Sequence, residues 1–108
     1  MSQPVTVIAE IRAKKGKEKE VRELLLGLVP QTHQEEGCLN YDLHETPADP
    51  GLFWFHENWV SREALGRHLE MPYIKEMIRR ADALLAEPPR IIECRAIHEP
   101  KKSAASMR

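Results

Sequence analysis

The sequence has few cysteines, little net charge and no long apolar run. Its two cysteines, Cys38 and Cys94, lie far apart without CxxC spacing, so neither a zinc site nor a disulfide framework is expected. Sixteen basic and seventeen acidic residues leave a net charge of −1, which gives no electrostatic basis for binding nucleic acid. No apolar stretch reaches the roughly 18 residues of a membrane span. These absences favour a cytoplasmic protein with two reduced thiols.

Two further absences narrow the class of function. No Gly-rich loop of the kind that binds nucleotide phosphates is present, so flavin or nicotinamide binding is not expected. The first ten residues lack a charged region followed by a long apolar stretch, so no signal peptide is expected there. A chain of 108 residues can form one domain. We expect a domain over residues 1–98 and a polar tail over residues 99–108.

Apolar periodicity predicts strands at both ends of the domain and a helix after the first strand. Residues 5–13 alternate β-branched with other side chains and predict a strand that Gly16 ends. A helix is expected from about Lys17, and Pro30 should kink or end it. Gly37 is expected to take the left-handed conformation that follows many helices. The last strand is expected over residues 91–97, after two prolines.

Two strands in the middle of the chain are expected to form a hairpin. Residues 38–45 predict the second strand, in which one face carries Leu39, Tyr41 and Leu43. The sequence TPADPG that follows has the composition of a turn, so residues 52–59 should return as the third strand.

The stretch LFWFHENWVSREALGRHLEMPY, residues 52–73, contains most of the candidate site. Alternation places on one face of the third strand the side chains of Phe53, Phe55, Glu57 and Trp59. Ser61 is a candidate N-cap for a short helix that carries His68 on its apolar stripe. Pro72 suits the first turn of a last helix, which is expected to bury Ile74, Met77 and Ile78. A short helix that folds back over the strand would bring His68 to Glu57 and Trp59.

The order of these elements predicts an α+β fold of the ferredoxin-like βαββαβ type. Such a fold has a four-stranded antiparallel sheet with helices on one face. The open face of this sheet would carry the apolar side chains of Ile8, Trp54, Ile92 and Cys94. An exposed apolar patch usually marks an interface. We therefore expect a homodimer that forms through the open sheet face.

Four segments together resemble the antibiotic biosynthesis monooxygenase (ABM) superfamily, and within it the small quinol monooxygenases. They are TVIAEIRAKKGKEKEV, EEGCLNYDLHE, HENWVSREALGRHLEMPYI and AEPPRIIECRAI, which span roughly residues 4–98. The resemblance implies a dimeric α+β barrel with a pocket between sheet and helices in each subunit. It also implies that O₂ oxidises an electron-rich phenol or quinol without metal, haem or flavin.

The chain departs from two branches of that superfamily. Haem-degrading members carry an Asn, a Trp and a His at positions that align with Ile11, His68 and Ile78, so haem cleavage is not expected. Polyketide-oxidising members carry an Asn at the position of Phe55 and an Arg at that of Ile78, so only Trp59 remains of their pattern. The quinol-oxidising and autoinducer-degrading members fit better, because the resemblance places a Glu and a His where this chain has Glu57 and His68.

His68 is the candidate catalytic base, because imidazole titrates near pH 6.5 and this one lies on an apolar stripe. The simpler interpretation is a core histidine with one hydrogen bond. Glu57, on an aromatic face, must be paired or shifted in pKa. It would either orient His68 or form an ion pair with Arg67 or Arg79. Where related proteins often have a second His, this chain has Tyr73.

The expected substrate-binding side chains are aromatic: Trp59, Phe55, Tyr73 and Tyr41. An aromatic lining favours a flat apolar ligand over a phosphorylated sugar, although Trp59 could equally be a core residue. His44 and His56 lie on paired strands near Asp42, and we interpret them as a polar dimer surface and not as a metal site. No metal and no cofactor are therefore expected.

Three functions remain open from the sequence. The first is a cofactor-independent monooxygenase that oxidises a small aromatic quinol or phenol with O₂. The second is an isomerase or degrading enzyme for a small carbonyl compound, in which His68 moves a proton. The third is a non-catalytic dimeric protein that binds a ligand or serves in stress, which a pocket filled by packed side chains would favour.

Overall fold

The computed structural model describes residues 4–99 and 101. The predicted tail, residues 99–108, therefore lies mostly outside the described residues, as do the first three residues of the predicted domain. The helices and strands of the described residues are, in chain order, β1 (Val5–Arg12), α1 (Glu18–His33), β2 (Cys38–Glu45), β3 (Leu52–Trp59), α2 (Arg62–Leu69), α3 (Pro72–Leu84) and β4 (Arg90–Cys94).

The described residues form one four-stranded antiparallel sheet in the order β2-β3-β1-β4. With the helices on one face, this is the predicted ferredoxin-like α+β fold. In the central pair of strands, Val7 lies opposite Glu57 and Ile11 lies opposite Phe53. All four side chains are buried, because this face is the one that the helices cover. The alternation in β1 and β3 is thereby confirmed.

Helix α1 packs on this face with one apolar stripe, whose buried residues are Val21, Leu25, Leu28 and Thr32. The helix passes through Pro30 and ends at His33, so of the two expected outcomes, a kink or an end at Pro30, the end is wrong. A proline near the end of a helix removes one backbone hydrogen bond and leaves the carbonyl four residues earlier without its donor. That carbonyl belongs to Leu26, which is 41% exposed, so water can replace the lost bond.

The expectation for Gly37 is also wrong. Among the described residues, only Gly16 and Gly51 are glycines with positive φ, at 90° and 93°. Gly37 instead permits a close approach, because a Cβ there would lie 2.3 Å from the Cβ of Ala64 on α2. The backbone N–H of Val60 donates to the Gly37 carbonyl at 2.9 Å. The residue therefore holds the start of α2 against the segment that leaves α1.

A β-bulge near the start of β2 explains one misplaced side chain. Cys38 lies opposite Trp59, whereas Asn40 lies opposite Asn58, so Leu39 is an extra residue in the ladder. Leu39 is 57% exposed, while Tyr41 is 3% exposed. The prediction that Leu39 shares the buried face of Tyr41 is therefore wrong.

The two later helices begin where the sequence indicates. Ser61 caps α2, and its side-chain oxygen accepts from the backbone N–H of Ala64 at 3.1 Å. Pro72 is the first residue of α3. Ile74 and Met77 are buried as expected, but Ile78 is 52% exposed. Strand β4 ends at Cys94, three residues earlier than predicted.

Within residues 4–99 and 101, every helix is too short or too polar to cross a membrane.

Candidate active site

A cavity lies between the covered face of the sheet and helices α2 and α3. Its open volume is about 50 Å³. Of the six predicted site residues, four line it: Tyr41, Phe55, Glu57 and His68. Apart from these, its wall is formed almost wholly by aliphatic side chains from β1, α2 and α3. Core side chains thus fill most of the space between the layers, and a small polar set faces what remains.

The other two predicted substrate contacts, Trp59 and Tyr73, do not line this cavity. Trp59 is 0% exposed and its ring centroid lies 4.5 Å from that of His68. Tyr73 lies on α3 and directs its hydroxyl to Glu35. Trp59 therefore packs against His68, a cavity residue, whereas Tyr73 bonds a residue outside the lining.

His68 is held on the buried face of α2 by the packing of that helix against the sheet. It is 3% exposed. Its Nδ1 lies 2.8 Å from Oε2 of Glu35, and the two side chains are only 4% and 6% exposed. Among the described residues, its second ring nitrogen, Nε2, makes no hydrogen bond. The partner of His68 is thus Glu35 and not the expected Glu57.

Glu35 is the site residue that the sequence reasoning missed. It follows the last residues of α1, and its Oε2 also accepts a hydrogen bond from the hydroxyl of Tyr73. One sequence signal could have indicated it. Glu35 and Glu36 lie at the negative end of the α1 dipole, where acidic side chains are unfavourable. An acidic residue in that position suggests a partner elsewhere in the fold.

Glu57 is a buried carboxyl group that lines the cavity. It is 5% exposed, and its Oε1 accepts from the indole N–H of Trp59 at 2.9 Å. Burial raises the pKa of Glu57 to about 7, against the lowering effect of the Trp59 bond. The alternative pairing with Arg79 is absent, because Arg79 bonds Glu76. Glu57 can therefore take either protonation state near neutral pH.

Aromatic rings form the side of the cavity next to His68. Tyr41 stacks on Phe55 with ring centroids 4.4 Å apart, and it meets the ring of His68 edge-on at 5.3 Å. Burial raises the pKa of Tyr41 well above its usual range, so its hydroxyl stays protonated. A base, a carboxyl group and a phenol therefore meet at one small cavity beside stacked aromatic rings.

The mouth of the cavity is aliphatic and partly exposed. Leu69, Ile78 and Ile91 line the cavity and are 38%, 52% and 51% exposed. Ile11 lies on the inner wall and is 2% exposed. All three positions at which the haem-degrading branch was expected to differ, Ile11, His68 and Ile78, are therefore cavity residues.

Among residues 4–99 and 101, no three His, Cys, Asp or Glu side chains lie close enough together to hold a metal ion. Asp42 lies opposite His56 in the ladder between β2 and β3, on the sheet face away from the helices. Both cysteines of the described region are free thiols.

Residues 4–80 match the sequence profile of the family described as antibiotic biosynthesis monooxygenase. The chain belongs to this family. A protein of Mycobacterium tuberculosis named "Putative monooxygenase Rv0793" is 34% identical over 88 residues, which cover 82% of this chain and 86% of that protein.

Two solved structures share the fold of this chain over almost their whole length. The structure of Rv0793 from Mycobacterium tuberculosis matches with a TM-score of 0.85 at 30% identity, over 92% of this chain and 100% of that one. The crystal structure of PA3566 from Pseudomonas aeruginosa also gives a TM-score of 0.85, at 35% identity, over 91% and 98% of the two chains. The ABM fold of this chain is therefore shared almost end to end.

Proposed function

We propose that this ABM-family protein is a cofactor-independent monooxygenase that oxidises a small aromatic quinol or phenol with O₂. The observation that supports this most is the state of His68. Its Nδ1 is bonded to Glu35 at 2.8 Å, while the ring lies on the wall of a mainly apolar cavity that Glu57 and Tyr41 also line. A buried imidazole with one free nitrogen is suited to take a proton from a substrate hydroxyl.

The proposed reaction begins with that proton transfer, from the substrate hydroxyl to Nε2 of His68. The resulting anion is electron-rich and gives one electron to O₂, and the two radicals then combine. One oxygen atom enters the substrate and the other leaves as water, so a hydroquinone would give a hydroxyquinone. The protein supplies the base and a water-poor cavity, in which electrostatic interactions are stronger.

Glu57 and Tyr41 are the proposed groups for the substrate oxygens. Because burial raises the pKa of Glu57 to about 7, its carboxyl group is partly neutral at neutral pH and can donate a hydrogen bond. The Tyr41 hydroxyl remains a donor throughout the physiological range because its pKa is raised. Donors of this kind would stabilise an oxyanion on the substrate. Phe55, stacked on Tyr41, would contact the ring itself.

The size of the cavity sets a condition on this proposal. About 50 Å³ is open, whereas an apolar cavity that binds benzene has about 150 Å³. An aromatic substrate therefore needs side chains at the mouth to move. Ile78 and Ile91 are about half exposed, so they can change rotamer without disturbing the core.

The same small volume favours a second candidate. A compact carbonyl compound would fit with less rearrangement, and His68 could then move a proton in an isomerase or degrading reaction. A largely filled cavity also favours the non-catalytic alternative, a dimeric protein that binds a ligand or serves in stress. Turnover of a small molecule separates the enzymes from the binding protein.

We also propose a homodimer through the open face of the sheet. Helices cover the other face, and the open one leaves Ile92 45% exposed beside the partly exposed Ile8 and Trp54. Pairing of two such faces would bury this patch. A reducing compartment, such as the cytoplasm, would suit the free thiols of Cys38 and Cys94.

Oxygen uptake tests the proposed function. Wild-type protein would be given a panel of hydroquinones and anthrones with a metal chelator, beside His68→Ala and the control His98→Ala, which alters an exposed histidine. We expect uptake that resists the chelator, is lost in His68→Ala and persists in the control. Uptake equal in all three proteins would remove His68 from the mechanism. Panel compounds consumed no faster than without protein would favour the isomerase or the non-catalytic binding protein.

A further inference from the structure

Three side chains from separate parts of the fold meet at one carboxylate oxygen. Oε2 of Glu35, after α1, lies 2.8 Å from Nδ1 of His68 on α2, and it also accepts from the hydroxyl of Tyr73 on α3. We infer that Glu35, held in place by Tyr73, is a positioning residue that fixes the tautomer of His68. In this tautomer Nδ1 carries the proton and Nε2 is bare.

Hydrogen-bond chemistry assigns the proton on His68. A carboxylate oxygen only accepts, and neutral imidazole has one N–H and one bare nitrogen. A distance of 2.8 Å between Nδ1 and Oε2 therefore requires Nδ1–H as the donor. Nε2 is then the lone-pair nitrogen. A base at the cavity needs that nitrogen bare.

Glu35 is itself fixed by Tyr73. The Tyr73 hydroxyl lies within hydrogen-bond distance of Glu35 Oε2 and, at 3.3 Å, of the Gln31 carbonyl. Burial, with the bond to Glu35 second, raises the pKa of Tyr73 above its usual range. Tyr73 therefore keeps its proton and remains a donor to Glu35. This places the carboxylate between two donors that come from different helices.

Glu57, the other carboxyl group near His68, has a different partner. Glu57 lines the same cavity, but its Oε1 accepts from Trp59 Nε1 at 2.9 Å. The role that the sequence suggests for Glu57, orientation of His68, is thus filled by Glu35. The pair is also well shielded from water, at 4% and 6% side-chain exposure, which strengthens a hydrogen bond between them.

Helix stability does not explain the position of Glu35. An acidic side chain at the carboxyl end of α1 opposes the helix dipole, and the C-cap residue is Gln34. The side chain is nevertheless buried against His68. The unfavourable interaction with the dipole of α1 is offset by the hydrogen bond to His68. A residue that positions another side chain is expected to show this pattern.

The inference rests on the proposed function only for the role of the bare Nε2 as a base. Its test needs no substrate. Long-range ¹H–¹⁵N NMR of the full chain distinguishes a protonated from a bare imidazole nitrogen. At about pH 8, above the usual titration of imidazole, we expect His68 with Nδ1 protonated and Nε2 bare. His68 found protonated on Nε2 in the wild-type protein would overturn the inference.

Variants assign the effect to Glu35. Glu35→Gln keeps a carbonyl acceptor and should keep the Nδ1–H tautomer, whereas Glu35→Leu should shift His68 towards Nε2–H. Glu36→Gln, a change to the exposed neighbour, should leave the spectrum unchanged. An unaltered tautomer in Glu35→Leu would contradict the inference. If Glu35→Leu does not fold, the wild-type spectrum still tests the inference, because protonation of His68 on Nε2 would contradict it.

Kinetics supply a second measurement where turnover is found. A general base contributes roughly 100- to 10,000-fold to rate, and we expect Glu35→Leu to lower kcat by a large part of that range. Glu35→Gln should recover much of the loss with an altered pH profile. The two failures remain distinguishable. Absence of oxygen uptake with the Nδ1–H tautomer present would sink the proposed function alone, and uptake with the Nε2–H tautomer would sink the positioning role alone.

Discussion

Trp59 donates its indole N–H to Oε1 of Glu57 across 2.9 Å inside the core. The two residues are 0% and 5% exposed, so the carboxyl group is removed from water. Burial accordingly raises the pKa of Glu57 to about 7 from an ordinary value of 4.5. A buried carboxyl group of this kind makes the stability of the protein depend on pH.

We predict that Glu57→Gln stabilises the protein at pH 8 but hardly at pH 4.5. Below pH 4.5 both folded and unfolded Glu57 are protonated. Between 4.5 and about 7 the unfolded chain releases the proton while the folded protein keeps it, so stability falls as pH rises. Above pH 7 folded Glu57 is ionised as well, and the buried charge lowers the free energy of unfolding by up to about 3 kcal/mol. Glutamine keeps an acceptor for Trp59 without the charge.

Denaturant unfolding at several pH values would measure this difference. Glu76→Gln is the matched control, because Glu76 is exposed and its bond with Arg79 lowers its pKa. Any loss of stability in that variant should be constant from pH 8 to about pH 6 and should disappear only as pH falls through the acidic range, where Glu76 becomes protonated. A stability difference between Glu57→Gln and wild type that does not grow from pH 4.5 to pH 8 would show that Glu57 titrates normally.

We predict opposite effects of alanine at two glycines. In Gly37→Ala the new Cβ would lie 2.3 Å from that of Ala64, and such overpacking costs about 1–3 kcal/mol. Gly27 lies within α1, where an added Cβ meets nothing within 4 Å. Gly27→Ala should therefore stabilise by about 1 kcal/mol through helix propensity. Thermal unfolding of both variants checks the pair, and equal Tm values would refute the close-approach explanation for Gly37.

The strands were predictable because their pattern is local. Alternation in β3 was expected to place Phe53, Phe55, Glu57 and Trp59 on one face, and all four are buried. Ser61 as a cap and Pro72 as a first helical residue depend on backbone donors within one turn. The order of these elements then left few topologies, and the ferredoxin-like sheet was among them.

The contacts of the site were not predictable, because they depend on tertiary distances. Glu35 lies 33 residues from His68 in the chain, and its segment looked like an ordinary polar turn. The bulge that exposes Leu39 shifts the register by one residue, which composition does not encode. Gly37 was assigned a backbone role, although the close neighbour Ala64 is what excludes a side chain.

We predict that Ile92→Glu disrupts the proposed dimer. Ile92 lies opposite Ile8 in the ladder between β1 and β4 and is 45% exposed on the open sheet face. A charge there could not be buried against a second copy without a large desolvation cost. Light scattering during gel filtration should give a dimer mass for wild type and about half of it for the variant.

Leu39→Glu is the control for that measurement, because Leu39 is 57% exposed and the bulge sets it outside the regular ladder. It should leave the dimer mass unchanged. A wild-type protein with the mass of one chain at all concentrations would reject the homodimer. A dimer that survives Ile92→Glu would move the interface to another surface.

We predict that Ile78, at the mouth of the cavity, controls access to it. Ile78 lines the cavity and is 52% exposed, so it can restrict access without being part of the core. Ile78→Ala should widen a space of about 50 Å³ and strengthen the binding of a hydroquinone. Ile78→Trp should weaken it. Because Ile78 is half exposed, the stability cost of the alanine variant should stay below the roughly 2–5 kcal/mol of a buried site.

Calorimetric titration with hydroquinone, in the absence of O₂, would measure binding without turnover. Leu26→Ala serves as the control, because Leu26 is a similarly exposed aliphatic residue on α1 outside the lining of this cavity. Tighter binding in Ile78→Ala and weaker binding in Ile78→Trp, with no change in the control, would place the entrance at α3. Equal affinities in both Ile78 variants would mean that the ligand enters elsewhere. In that case Leu69 and Ile91 would be altered in the same way, since they form the rest of the mouth.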